Sequence, residues 1–217
     1  MKIAFVAAME LEIEELIAKF TAVTKETFLK RDFYTVKDEN TYIFLATGQG
    51  KTNAAMYTQF LITKFVPDAI INLGVCGGIT SESELLAVYV GSKYCHYDIR
   101  KKQAIGKFPR HLYFDADTKL LTQFLHANKE IQVGIFGTGE GFVSSKELAE
   151  KIHSNFAVDC VDMESGAMAQ CCQLNQVPFI SIRAVCDLAD RKKTSSDDFQ
   201  KKAMKKVHRI VFETMNS

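Results

Sequence analysis

Residues 3–8 (IAFVAA) form an unbroken apolar run, and an acidic stretch follows at once. A short continuous run of this kind predicts a strand buried on both faces, since a half-exposed strand alternates. From Glu10 the period changes. Leu11, Ile13, Leu16, Ile17 and Phe20 recur at roughly helical spacing among acidic residues, so the first strand leads into a helix. Residues 26–47 predict two strands joined at Asp38-Glu39-Asn40. A glycine-bearing turn at 47–51 precedes a helix to about Lys64, and Pro67-Asp68 introduces the buried run 69–73, which ends in GVCGG. Segments 89–97, 131–136, 158–161 and 178–185 read as further strands. DMESGAMAQCC reads as a helix, and a last helix begins near Ser196, with Asp197 and Asp198 at its positive end. Residues 100–111 (RKKQAIGKFPRH) read as a long mobile loop.

Strands alternating with helices predict an α/β domain around a mainly buried sheet. No repeat, low-complexity segment or linker interrupts the 217 residues, so residues 1–217 are read as a single domain. Net charge is +1, which gives no long-range pull on nucleic acid or on an acidic membrane surface. The expected partners are therefore small molecules or ones that dock on local surface. No run approaches the roughly 18 apolar residues of a membrane span. None of the six cysteines forms a CxxC pair, and most sit in apolar stretches, as buried thiols do. The expected setting is reducing and cytoplasmic, with no metal and no cofactor.

Three glycine clusters follow predicted strands: GQGKT at 48–52, GVCGG at 74–78 and GTGEG at 137–141. Each alone reads as a tight turn, but three at strand ends favour a ligand site there. GQGKT is not a P-loop, because Leu45 stands where its first glycine belongs. GTGEGF is not GxGxxG, because its third glycine comes one residue early. Among Glu10, Glu12, Glu14 and Glu15, most belong to a solvated face, but Glu12 lies just past a buried strand and can point into a cleft. Glu164 sits where a strand meets a helix, so its carboxylate needs a partner. Asp162 beside it reads as a helix cap. Arg183 reads first as half of a buried ion pair, while Asp187 is expected beyond the end of the last strand.

AAMELEIEEL, INLGVCGG, GTGEGFV, VDMES and IRAVCDLAD occur in an order that resembles the purine and uridine phosphorylase superfamily. Within it the chain is most similar to the 5′-methylthioadenosine/S-adenosylhomocysteine nucleosidases, nearly end to end. The resemblance implies a doubly wound α/β domain whose central, twisted, mixed sheet is flanked by helices, paired as a homodimer. It implies hydrolysis of the N-glycosidic bond. Glu12 would activate the attacking water, and Asp187 would protonate the purine at N7. Glu164 would hold the ribose hydroxyls, with Met163 against the sugar. Phe142 would stack on the base, Val143 would offer backbone groups to its edge, and Gly77 would lie in a glycine turn beside the ligand. Arg183 is counted with these substrate-binding residues.

The phosphorylase branch of the superfamily needs cations for phosphate, whereas the first loop here carries Glu12 and the second reads NLGVC. Water is thus the better nucleophile. Departures from the nucleosidase pattern fall at Val75 and Cys186, where serine is common, and at Gln49, where an apolar residue is usual. Segment 97–112 also differs, with Phe108, Pro109 and His111 as candidates for closing the site. These leave the 5′ substituent open. A futalosine-type nucleoside, a phosphorylase and a non-catalytic nucleoside-binding protein remain the alternatives.

Overall fold

Alternation along the first strand sets the layering. In β1 (Lys2–Ala7), Ala4 and Val6 enter one core cluster while Phe5 and Ala7 enter another, on the opposite face. The structure, a computed structural model, describes residues 1–188 and 197–215. After β1 come a 3-10 turn (Glu10–Glu12), α1 (Glu14–Ile17), β2 (Val23–Phe28), β3 (Arg31–Lys37), β4 (Thr41–Ala46) and α2 (Lys51–Phe65). β5 (Ala69–Gly78), β6 (Val88–His96), α3 (Lys101–Gly106), β7 (Phe114–Asp115), α4 (Thr118–Ala127) and β8 (Gln132–Thr138) follow. α5 (Lys146–Phe156), β9 (Cys160–Asp162), α6 (Ser165–Leu174), β10 (Phe179–Leu188) and α7 (Asp197–Met215) complete the described chain. Ala54, Tyr57 and Leu61 of α2 and Met168 and Cys172 of α6 cover the Ala4 face. Leu16 of α1, Phe124 of α4 and Met204, Val207 and Val211 of α7 cover the Phe5 face. Helices thus lie on both faces of a mixed sheet, the doubly wound arrangement that the motifs imply.

β5 has one neighbour on one edge and two on the other. β10 runs parallel along nearly all of it. On the opposite edge, β1 pairs with its first half and β9 pairs antiparallel with Gly77 and Gly78 at its end. β9 then pairs with β8, β8 with β6, and β6 antiparallel with β10, so five strands close into a ring. β1, β4, β3 and β2 extend from it as an open wing. The ends of β1, β5, β9 and β10 converge where the strand order switches, the place where α/β sheets bind ligands.

The segment before α2 holds three strands where two were expected, because β2 and β3 turn at Leu29-Lys30 with φ of 51° and 64°. Left-handed hairpin turns are normally marked by Asn, Asp or Gly, and neither residue is one. The helix expected from Glu10 is a 3-10 turn and a four-residue α1. The loop at 100–111 contains α3. GVCGG is no turn but the last part of β5, and Asp187 lies inside β10 rather than beyond it. α4 and α5 are capped by the Asp117 and Ser145 side chains, a signal present in the sequence but not read there. The expected helix start at Ser196 and the Ala189-Asp190 end of the IRAVCDLAD motif lie outside the described residues.

Candidate active site

The 3-10 turn after β1 folds Glu12 back under the strand end. Its Oε2 accepts the backbone N–H groups of Ala8 (3.0 Å) and Met9 (2.9 Å), and Oε1 accepts that of Val75 in β5 (3.1 Å). The residue is 1% exposed. Burial pushes the Glu12 carboxyl up to about 7. The Arg183 charge and the Met9 and Val75 N–H groups oppose that rise, and Glu164 adds to it.

Arg183, fully buried in β10, is the counter-charge. Its Nε lies 2.9 Å from Asp162 Oδ2, and Nη2 lies 3.4 Å from Glu164 Oε2. Nη2 also donates to Asn72 Oδ1 (2.9 Å) and Nη1 to the Val75 carbonyl (2.8 Å). Burial works against the guanidinium charge, but Asp162, Glu164 and Glu12 outweigh it and hold it charged. Asp162 in turn caps α6 through the N–H groups of Glu164 and Ser165, both at 3.1 Å. That leaves Glu164 Oε1 to accept Gly50 N–H at 2.9 Å. Burial raises the Glu164 carboxyl; Arg183 opposes the rise, Asp162 adds to it and Gly50 N–H opposes it.

Asp187 is aimed by a bulge. Val185 stands opposite Cys76 and Asp187 opposite Gly77, so Cys186 is the extra residue in β10. A Cβ on Gly77 would come within 2.9 Å of Asp187 Oδ1 and 3.2 Å of a Val161 methyl. Glycine is therefore required by close approach, not by a turn. Burial raises the Asp187 carboxyl, and the Cys186 thiol, which donates to Oδ2 at 3.4 Å, opposes that rise.

Glu12, Gly77, Phe142, Met163, Glu164, Arg183 and Asp187, all marked in the sequence, line one cavity of about 150 Å³. Val143, its side chain buried, lines a small extension of about 30 Å³ beside Phe142 and Asp187. Gln49 and Phe142, both exposed, stand at the opening; Val75 and Cys186 also line it. Phe108, Pro109 and His111 line neither space.

Sequence reasoning missed three supports. Asn72, a lone polar residue in an apolar strand, bridges Arg183, Ser181 and the Val6 carbonyl. Thr138 ends β8 and donates to Asp162 at 2.6 Å. His208 of α7, 3% exposed, meets the Glu12 carbonyl through Nε2 at 2.7 Å. A carbonyl only accepts, so Nε2 carries the proton. The signal for Asn72 is its polarity within an apolar run, which was not read, whereas nothing in the pattern links positions 12 and 208.

A family model described as the phosphorylase superfamily matches residues 2–216. The 5′-methylthioadenosine/S-adenosylhomocysteine nucleosidase of Lysinibacillus sphaericus is 31% identical, with 100% of both chains covered. The Neisseria meningitidis nucleosidase of the same name, solved in complex with methylthio-immucillin-A, superposes with a TM-score of 0.92 at 31% identity, covering 99% of this chain and 98% of that one. A futalosine hydrolase mutant of Helicobacter pylori reaches a TM-score of 0.93 over 100% and 99% of the two chains, at 22% identity, and shares the fold.

Two outcomes are expected from this geometry. Between about pH 4.5 and 7 the folded state holds a proton on Glu12 that the unfolded state has lost, so stability falls as pH rises through that window. Glu12→Gln removes this loss. Its stability relative to wild type should rise between about pH 5 and pH 8 by on the order of 3 kcal/mol, read as several degrees of melting temperature. A difference independent of pH would mean that Glu12 titrates as an ordinary carboxylate. A Cβ at Gly74 would lie 2.8 Å from Arg183 Nη1 and 2.9 Å from Glu12 Oε1. Gly74→Ala should therefore destabilise by about 1–3 kcal/mol in thermal unfolding, and an unchanged midpoint would contradict the packing described.

Proposed function

Because the chain belongs to the phosphorylase superfamily, and within it to the 5′-methylthioadenosine/S-adenosylhomocysteine nucleosidases, we propose that it hydrolyses the N-glycosidic bond of those two nucleosides. Adenine and a 5-thio-substituted ribose are the products. The observation that carries the reading is Glu12, a carboxylate buried at the strand end with a proton affinity near neutrality. A general base works best when its pKa lies near the working pH.

The purine lies beside Asp187 and Val143 with Phe142 over it at the opening, and the ribose hydroxyls meet Glu164. As the bond from C1′ to N9 breaks, its electron pair moves onto the purine and C1′ gains positive charge. Asp187 delivers a proton to N7, so the purine leaves neutral. The oxygen of water bonds to C1′ while Glu12 takes a proton from it. One proton thus leaves Asp187 and one arrives at Glu12. The carboxylates around the sugar also stabilise the developing cation. Arg183 favours the charged form of Glu164 against its burial and holds it in place, while its own donors are engaged by protein groups.

Water is favoured over phosphate by charge. Among the described residues lining the cavity, Glu12, Asp162, Glu164 and Asp187 face a single cation, Arg183. A phosphate dianion would meet net repulsion there. A homodimer in a reducing cytoplasm completes the proposal. No disulfide joins the six cysteines, all of them among the described residues, which suits a reducing compartment. Ile105 and Phe108, on and after α3, are 56% and 79% exposed in the single chain, an apolar surface for a second copy.

Adenine should be released from 5′-methylthioadenosine in phosphate-free buffer. Release that requires phosphate would make the chain a phosphorylase, and none in either buffer would redirect the search to futalosine-type nucleosides. Asp187→Asn and Glu12→Gln should each lower kcat on the order of 100- to 10,000-fold while adenine still binds; near-normal turnover in either would remove that residue's role. The pH optimum of kcat/KM lies midway between the two carboxyl pKa values. A serine hydroxyl is a stronger donor than a thiol and favours charged Asp187, so Cys186→Ser should move the optimum down by roughly half a unit, and an upward move would reverse the assignment of the acid.

A further inference from the structure

GQGKT and GTGEG supply none of the reacting groups, yet the fold brings them together. The residues between β8 and α5 that carry Phe142 include three consecutive exposed positions, 140–142. They are nonetheless tied down from outside. Gly139 N–H donates to the Asp162 carbonyl at 3.1 Å and Glu140 N–H to Asp98 Oδ2 at 3.1 Å. The Tyr97 hydroxyl donates to the Gly141 carbonyl at 2.8 Å. The Glu140 carboxylate reaches across to accept Lys51 N–H at 3.0 Å, and Lys51 Nζ returns to both Asp98 oxygens at 2.7 Å. Lys51, Asp98 and Glu140 therefore form a closed circuit that joins the start of α2, the segment after β6 and the loop of Phe142.

The circuit also touches the sugar side. Gly50, next to Lys51, gives its N–H to Glu164. Its φ of 92° is left-handed, and a Cβ there would come within 2.8 Å of Glu140 Oε2. Two carboxylates thus close on adjacent backbone N–H groups, Glu164 on residue 50 and Glu140 on residue 51. The Lys51–Asp98 pair is partly buried, with side chains 23% and 31% exposed, so it is shielded from full screening by solvent.

We propose that Lys51, Asp98 and Glu140 are positioning residues that hold the Phe142 loop over the purine and couple its placement to Glu164. This rests on the reading that the cavity takes a purine nucleoside. None of the three touches the reacting bond, so they act on binding of the base rather than on proton transfer.

Steady-state kinetics with 5′-methylthioadenosine and calorimetric titration with adenine test this in wild type, Lys51→Met, Glu140→Ala, Lys51→Arg and Glu140→Gln. In the Met and Ala variants, KM and the adenine Kd should both rise roughly tenfold while kcat stays within about threefold. Lys51→Arg and Glu140→Gln, which keep the charge or the acceptor, should return both constants to within about threefold of wild type. Wild-type KM and Kd in Lys51→Met and Glu140→Ala would overturn the proposal, as would a loss confined to kcat or to melting temperature. Glu140 is exposed, so its variants fold whatever becomes of Lys51. If wild type itself neither bound adenine nor released it, the functional reading would fall and the proposal with it. That result is distinct from a wild type that binds and turns over beside variants that match it.

Discussion

Moving the Arg183 guanidinium out of water costs several kcal/mol, and the end of the sheet is organised around offsetting that cost. Asp162 and Glu164 lie on one side of it, the Val75 carbonyl and Asn72 on another, and Glu12 is close enough to favour its charge. Removing any one carboxylate would leave a buried cation less compensated. Removing the arginine would leave carboxylates without their counter-charge. Burial favours the neutral forms of Glu12 and Glu164 while Arg183 favours their charged forms, and the chemistry draws on that balance. The same low-dielectric surroundings that raise the Glu12 carboxyl also strengthen its action on a cationic sugar carbon.

Ring closure lets one arginine serve two carboxylates. β9 is only three residues long and is held on both of its edges. Paired to both β5 and β8, it places Asp162 and Glu164 against β10, where Arg183 waits. Gly77 is the point where β5, β9 and β10 meet, opposite Val161 on one side and Asp187 on the other. A side chain there would push two strands apart, and a straight β10 would lose the bulge that sets Asp187 across from it.

Much of this was legible in the chain, and the exceptions have physical reasons. The buried runs marked β1, β5 and β10 because a strand covered on both faces is apolar throughout. Carboxylates just past such runs, Glu12 and Glu164, stood out because they lacked water. Where Asp187 sits within its strand was not legible, since a bulge adds a residue without changing composition. The Leu29-Lys30 turn left no trace, because its left-handed backbone is held by β2 and β3 rather than by glycine. The arrangement of Asn72, Thr138 and His208 depends on contacts between distant segments, and periodicity carries no information about those.

The hydrogen bond between His208 and the Glu12 carbonyl spans 196 residues. In order of synthesis it joins a backbone carbonyl to a side chain made 196 residues later. The turn that holds Glu12 can form early, but its carbonyl finds its donor only when α7 docks. An emerging chain therefore acquires its full set of constraints on Glu12 only after α7 has been made, so that helix also marks the completion of the site in time.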